Sequence, residues 1–365
     1  MIQHVTLVGA GLIGGSLGLT WKSAMPDVHL TGFDLPEVLD RAHARGAIDT
    51  RAASLEAAVA EADLVVLATP LSAMLPLMTQ LADHLQEGTV VTDVGSVKRP
   101  VMAHAAEVLP AHVTFIGGHP MAGSETGGIE AADPLLFENA TYVLCPPDGQ
   151  EPSTVPDELI SLIEATGARI RLMEAARHDR IAATVSHLPQ LVAVALAQYA
   201  GDRHANDEAT LDLAAGGFRD LTRIASSPFG LWRDILAANQ GPVLDALGGF
   251  AASIQTLRNR LIENDQKALG GLFEKAHEAR ATIPERGKGF LQPLADLYVR
   301  AEDRPGELVT LTTALADAGL NIKEIELLRV REGTDGTFRL SFADTPTAEE
   351  AAAVLQDAGF GTTLP

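Results

Sequence analysis

The sequence predicts an α/β protein built in three parts, and three patterns along the chain carry that prediction. In residues 1–174 short apolar runs alternate with stretches of helical spacing, which implies a largely parallel sheet with helices on both faces. From Ala175 to about Gly289 the strand signal gives way to long runs rich in alanine and leucine, which demand helices. Residues 292–365 follow the order β-α-β-β-α-β, a compact ferredoxin-like arrangement. A chain of 365 residues is long enough for two or three domains, so the divisions are set at 174/175 and 291/292.

In the first part, strands are expected at Val5–Val8, Val28–Phe33, Leu64–Ala68, Val90–Thr92, Val113–Ile116, Tyr142–Leu144 and Arg169–Leu172. Gly14–Ala24 and Leu71–Leu85 have helical spacing. The second part is expected to hold helices over Ile181–Ala200, Leu231–Phe250 and Ala252–Ala281. Ile181–Tyr199 is apolar around most of its circumference, which predicts burial on several sides, in a domain core or at a subunit interface. The apolar helices of 181–262 therefore point to a homodimer. Pro284–Gly289 is polar and glycine-containing, and reads as a linker. Beyond it the pattern gives Leu294–Arg300, Gly306–Ala318, Asn321–Val330, Thr337–Phe342, Ala348–Asp357 and a last strand near Gly361.

Charge narrows the partners. With 48 acidic against 27 basic residues the formal charge is -21, a field that repels nucleic acid and anionic membrane alike. An anionic ligand would need a local cation. The one cysteine, Cys145, allows no intrachain disulfide and builds no thiolate metal site by itself; it reads as a buried structural thiol, and no metal is expected. The amino terminus enters strand pattern at once, without the basic-then-apolar signature of a leader, and no apolar run reaches about 18 residues. The expectation is a cytoplasmic protein.

The first chemical signal is Gly9-Ala-Gly11-Leu12-Ile13-Gly14, which follows the first strand and opens the first helix. Gly9 permits the tight turn, Gly11 lets a pyrophosphate approach the backbone, and Gly14 lets helix and strand pack closely. The helix start adds free N–H groups and a positive dipole end. Twenty residues after Gly14, Asp34 ends the second strand, placed to accept hydrogen bonds from the ribose of NAD and to repel the extra phosphate of NADP. Together these features predict a Rossmann-type domain that prefers NAD. Thr69 and Pro70 close one strand and Ser96 follows the next, so all three face the crevice where open parallel sheets bind ligands. Ser96 could equally be a helix N-cap for the segment beginning at Val97.

The second signal is Gly117-Gly-His119-Pro-Met-Ala-Gly-Ser124-Glu-Thr-Gly-Gly128, a histidine among five glycines, read as a loop shaped around a ligand. Imidazole exchanges protons near neutral pH, which makes His119 the first candidate for acid–base chemistry. The alternative is a surface loop with a solvated histidine.

Six motifs then occur in one order: the Gly9–Gly14 turn, Asp93-x-Gly-Ser-Val-Lys98, Gly118-His-Pro-Met-Ala-Gly123, Ser186-His-Leu-Pro189, Gly217-Phe-Arg-Asp-Leu-Thr-Arg223 and Trp232-Arg-Asp234. Together they resemble the prephenate/arogenate dehydrogenase family over about 290 residues. The tail, with Asp303-Arg-Pro305-Gly306 and Gly319-Leu-Asn321-Ile322, resembles the ACT module that binds amino acids. The resemblance implies NAD-dependent oxidative decarboxylation of prephenate to 4-hydroxyphenylpyruvate. It implies that His119 assists deprotonation of the ring hydroxyl and that Ser96 aligns hydroxyl and nicotinamide. Arg223 would pair with a substrate carboxylate, and His187, Gln190 and Ser124 would line the substrate pocket. Asp303, Pro305, Gly306, Asn321 and Ile322 would form the regulatory region, with tyrosine as the effector. Without the resemblance, His187 on its apolar helix reads as a core histidine and Arg223 as one half of a helix-surface ion pair with Asp220.

Gln190 departs from the pattern, since many relatives carry histidine there, and this leaves arogenate open as substrate beside prephenate. A β-hydroxyacid dehydrogenase would need a catalytic lysine in the helical part, where Lys267 and Lys275 lie in a polar stretch. A non-catalytic amino-acid sensor would have no use for Asp34, Ser96, His119 and Arg223 together.

Overall fold

The computed structural model describes residues 2–124, 126–147, 149, 152–283, 294–330 and 335–364. The chain divides into two compact units, Met1–Gly271 and Leu272–Pro365. The expected linker Pro284–Gly289 lies outside the described residues.

The first unit is organised by one eight-stranded sheet: β1 (His4–Val8), β2 (His29–Phe33), β3 (Thr50–Arg51), β4 (Leu64–Leu67), β5 (Val90–Asp93), β6 (Thr114–Pro120), β7 (Thr141–Cys145) and β8 (Arg169–Leu172). Their order is β3-β2-β1-β4-β5-β6-β7-β8. All pairings are parallel except β6 with β7. The strand order reverses between β1 and β4, the switch point at which such sheets bind ligands. Alternation along the strands feeds two cores. Val5, Leu7, Leu64 and Val66 join Leu17 and Trp21 on one face, and Val8, Val65 and Leu67 join Met74 and Met78 on the other. Trp21 is fully buried and its indole N–H donates to the Leu162 carbonyl at 2.7 Å, so the largest core side chain leaves no polar atom unpaired.

Three expectations need correction here. β6 runs on to Pro120, so His119 lies in a strand, paired with Val143 of β7, and not in a loop. The Gly-Gly-His-Pro run looks like a turn, yet its glycines serve closeness rather than mobility. A Cβ on Gly118 would stand 2.2 Å from the Asp93 carbonyl oxygen, and one on Gly117 2.7 Å from Met102 Sδ. The first helix begins at Leu12, earlier than expected, and the two-residue, exposed β3 went unpredicted.

The helical part starts with helix Ala175–Ala182, a π turn at Ala183–His187 and helix Leu188–His204, followed by the short helices Ala209–Asp212 and Gly216–Thr222 and a 3-10 turn at Arg223–Ser226. Phe229–Ala238, Gln240–Ile262 and Gln266–Ala281 complete it. The expected continuous helices break at Asn239 and at Asn264; Asn264 sits at φ 51°, in the left-handed region where asparagine is among the tolerated residues. By length and composition the run Ala175–His204 is apolar enough to cross a membrane. Its polarity is inverted, however. His178, Asp179, His187 and Gln190 are buried, while Val185 is 59% and Tyr199 59% exposed. Burial on several sides, the expectation for 181–199, is therefore not what one chain provides.

The second unit is the β-α-β-β-α-β order: β9 (Ala295–Glu302), helix Glu307–Asp317, β10 (Glu324–Val330), β11 (Asp335–Phe342), helix Thr345–Asp357 and β12 (Gly361–Thr363). The sheet order β10-β11-β9-β12 is antiparallel throughout, and one face buries Leu297, Val299, Leu340 and Phe342 under Leu311, Leu315 and Leu355.

Candidate active site

The crevice beyond β1 and β4 is shaped by backbone. Gly9 adopts φ 101°, and a Cβ there would meet Ala68 backbone at 2.7 Å and the Thr69 methyl at 2.9 Å. A Cβ on Gly14 would fall 2.0 Å from the Gly9 oxygen, whereas Gly11 faces open space. Helix Leu12–Ala24 has no side-chain cap, so the amides of its first turn, beginning with Leu12 and Ile13, are available to a phosphate. Asp34 Oδ2 accepts from the Ala10 N–H at 2.7 Å and Oδ1 from the Leu35 N–H at 2.7 Å, which fixes the carboxylate beside the glycine turn. Thr69 Oγ1 is buried without a partner among the described residues, next to Pro70 at the start of helix Leu71–Leu81. An open glycine, uncapped amides, an anchored carboxylate and an orphan hydroxyl on one rim are the donor set that a dinucleotide requires, and NAD fits it.

Beyond β5, Ser96 is not the N-cap of the next helix. That helix is Arg99–Val108, and its end is capped from a distance: Asp179 Oδ1 accepts from the Lys98 N–H at 2.7 Å and Oδ2 from the Arg99 N–H at 2.9 Å. Ser96, half-buried, has no hydrogen bond to a described residue. The fully buried Lys98 ammonium pairs with Asp93 and donates to the Gly118 carbonyl, while Asp93 Oδ1 accepts from the Gly118 N–H at 3.0 Å. One ion pair thus clamps both backbone groups of the residue preceding His119.

His119 is buried, and its Nδ1 lies 2.8 Å from His178 Nε2; His178 Nδ1 in turn lies 2.8 Å from Asp179 Oδ1. Burial, then the Lys98 ammonium and the neighbouring His178 and His187 rings, push the His119 pKa well below its ordinary 6.5. His119 is therefore neutral at pH 7, and its Nε2 has no hydrogen-bond partner among the described residues. Asp179 stays ionised: burial opposes its charge, but hydrogen bonds from His178 and from the Lys98 and Arg99 amides hold its pKa below the usual carboxylate value.

His187, buried in the π turn, faces the same group. The Asn239 amide donates to the Asp179 carbonyl at 2.8 Å and lies 3.2 Å from His187 Nδ1. Burial lowers the His187 pKa to about 4, with Asp179 opposing and His178 assisting, so its ring is neutral. With Nδ1 accepting from Asn239, the ring proton sits on Nε2, which is buried and has no partner among the described residues. A buried donor without an acceptor costs about 1–3 kcal/mol, a cost that a bound anion or hydroxyl removes. Trp232 stands edge-on to this ring at 6.0 Å, its own Nε1 also unpartnered.

The remaining expected residues are placed differently. Gln190 is buried and donates to the Ile224 carbonyl at 2.9 Å, so it tethers the turn that begins at Arg223. Arg223 itself is exposed, as is Ser124, whose hydroxyl is engaged with Thr126. In the second unit Gly306 adopts φ 92° at the start of helix Glu307–Asp317, flanked by Asp303 and Pro305, while Asn321 and Ile322 lead into β10.

Comparison with known proteins decides the family. Residues 17–172 match the prephenate dehydrogenase nucleotide-binding domain, 174–275 the prephenate dehydrogenase dimerization domain and 295–360 the ACT domain. A prephenate dehydrogenase of Bacillus subtilis (strain 168) is 36% identical over 358 residues, 98% of this chain and 96% of that protein. The chain belongs to the prephenate dehydrogenase family.

Two further members of the family bear on the site. A cyclohexadienyl dehydrogenase of Zymomonas mobilis is 34% identical over 78% of this chain and 97% of its own length. The crystal structure of prephenate dehydrogenase from A. aeolicus, in complex with hydroxyphenyl propionate and NAD+, matches with a TM-score of 0.68 at 28% identity, over 78% of this chain and 99% of that one. The inverted helix lies within the stretch that matches the dimerization domain, and there apolar residues such as Val185 and Tyr199 face outward from the chain. His178, Asp179 and Asn239 went unnoticed in the sequence. The His178-Asp179 pair sits just past the presumed boundary at 174/175, where it reads as the polar start of a helix.

Proposed function

We propose that this chain catalyses the NAD-dependent oxidative decarboxylation of prephenate to 4-hydroxyphenylpyruvate, as a cytoplasmic homodimer in which each chain is divided at 174/175 and 291/292. The observation that carries the reading is a buried, neutral His119, clamped at Gly118 and backed by His178. NAD, when bound, supplies the hydride acceptor. His119 Nε2 takes the proton of the ring hydroxyl, which relieves positive charge on that oxygen as the hydride leaves the carbinol carbon. The ring carboxylate then departs as carbon dioxide and its bonding electrons complete the aromatic ring. The proton held by His119 returns to the phenolic oxygen, so the imidazole ends the cycle neutral.

The other residues position. Ser96, with its hydroxyl uncommitted, aligns the ring hydroxyl with the nicotinamide end. His187 offers its Nε2–H to the substrate, and Arg223 supplies the planar cation that a dicarboxylate requires in an acidic protein. Asp34 selects NAD through the ribose. Mixing protein, NAD and prephenate is expected to produce NADH absorbance; a flat trace would refute the reading. Side-by-side kcat/KM values are expected to favour prephenate over arogenate, and a clear preference for arogenate would reverse the substrate assignment.

Tyrosine is the proposed effector of the ACT domain, at Asp303, Pro305, Gly306, Asn321 and Ile322. Calorimetric titration is expected to give saturable tyrosine binding together with a loss of activity. Heat of dilution alone, with activity unchanged, would remove the effector.

A further inference from the structure

The mechanism needs a lone pair on His119 Nε2, and a neutral imidazole carries it there in only one of its two tautomers. Nothing in the His119 ring itself chooses. The choice is made by what Nδ1 meets, and Nδ1 meets His178 Nε2 at 2.8 Å. Whether that contact holds the proton on the His119 side depends on which nitrogen of His178 is protonated. Asp179 settles this, because an ionised carboxylate can only accept. His178 Nδ1 therefore donates to Asp179 Oδ1 at 2.8 Å, which leaves Nε2 of a neutral His178 as an acceptor for the His119 Nδ1–H.

We propose that His178, oriented by Asp179, is a positioning residue of this site, fixing His119 as the Nδ1–H tautomer with its basic lone pair on Nε2. The proposal rests on the role given to His119 above, and it adds residues that no sequence motif singled out. Asp179 is well placed for the task. Its two oxygens also accept the Lys98 and Arg99 amides, and its carbonyl accepts from Asn239, which faces His187 Nδ1. Two amides thus hold the carboxylate toward His178, and Asn239 fixes the backbone that carries it. The groups facing the pair are Asp93 at the end of β5, Lys98 from the segment after it and His187 from the π turn, and His178 is 2% exposed. Bulk water does not compete for the contact.

The test has two arms. In the ligand-free protein labelled with ¹⁵N-histidine, the His119 ring, assigned by its loss in His119→Asn, is expected at pH 7.5 to show a protonated Nδ1 and a bare Nε2. His178→Phe removes the acceptor and is expected to lose this fixed tautomer. Its kcat on prephenate should fall about 100-fold, while the KM for prephenate and the Kd for NAD stay within about threefold of wild type. His178→Gln, which can accept through Oε1, is expected to recover at least tenfold of the lost kcat. A wild-type spectrum with the proton on Nε2 would overturn the proposal whether or not prephenate is the substrate. So would His178→Phe with kcat within threefold of wild type. If His178→Phe fails to fold, the wild-type spectrum and a His178→Gln variant of full activity or none decide: full or partial activity supports the proposal, and complete loss in a folded protein contradicts it.

Discussion

Replacing His119 by asparagine is expected to lower kcat on prephenate by about two orders of magnitude or more, while the KM for prephenate and the affinity for NAD change only a few-fold. Asparagine is smaller than imidazole and can still reach toward His178, so the packing around Gly118 and Val143 is retained. What disappears is the group that accepts the hydroxyl proton. The loss should therefore fall on the chemical step and not on binding, and single-turnover measurement of NADH formation separates the two. Turnover near that of the wild type would remove His119 from the chemistry.

The second large effect concerns stability. Lys98→Met is expected to cost the first unit about 3–5 kcal/mol, because it strands the Asp93 carboxylate in a fully buried position without its cation. For a unit of this size that corresponds to a fall in Tm of roughly 6–20 °C. Two donors to Asp93 survive, the amides of Gly95 and Gly118, but the Gly118 carbonyl loses the ammonium that bonds it. The double variant Asp93→Asn/Lys98→Met should recover part of the loss, since it removes the unpaired charge as well. Calorimetry on the three proteins reads both effects. A Lys98→Met protein within about 1 kcal/mol of wild type would mean that the clamp contributes little.

How much of this was legible in the sequence depends on how local each cause is. The cofactor crevice was legible because its constraints act within a few residues. Gly9 needs its positive φ and Gly14 has no room for a Cβ, and both facts belong to one turn. The ferredoxin-like order of the second unit was legible for the same reason, through period-two strands alternating with helices. The setting of His119 was not. Gly-Gly-His-Pro has every mark of a turn, and only the pairing with β7, more than twenty residues further on, makes it a strand. For the helix after β5 the sequence offers Ser96 as one possible cap, whereas the cap of Arg99–Val108 comes from Asp179, 81 residues from Lys98. Gln190 looked like a substrate contact because of the motif around it, yet its amide is spent on Ile224. The helix containing Val185 and Tyr199 shows a further gap: apolarity reports that a surface will be covered, and says nothing about which chain covers it.

Whether a neutral histidine acts as the base is read from the pH dependence of kcat/KM for prephenate. His119 has its pKa held below 6.5 by burial and then by the nearby Lys98 ammonium and histidine rings, so its basic form persists as pH falls through the range where a free imidazole would protonate. Activity is expected to be level across neutral pH and to decline along a single-proton acid limb centred below 6.5, and this limb is expected to vanish from the residual activity of His119→Asn. A limb centred above 6.5, or one that survives unchanged in His119→Asn, would contradict it.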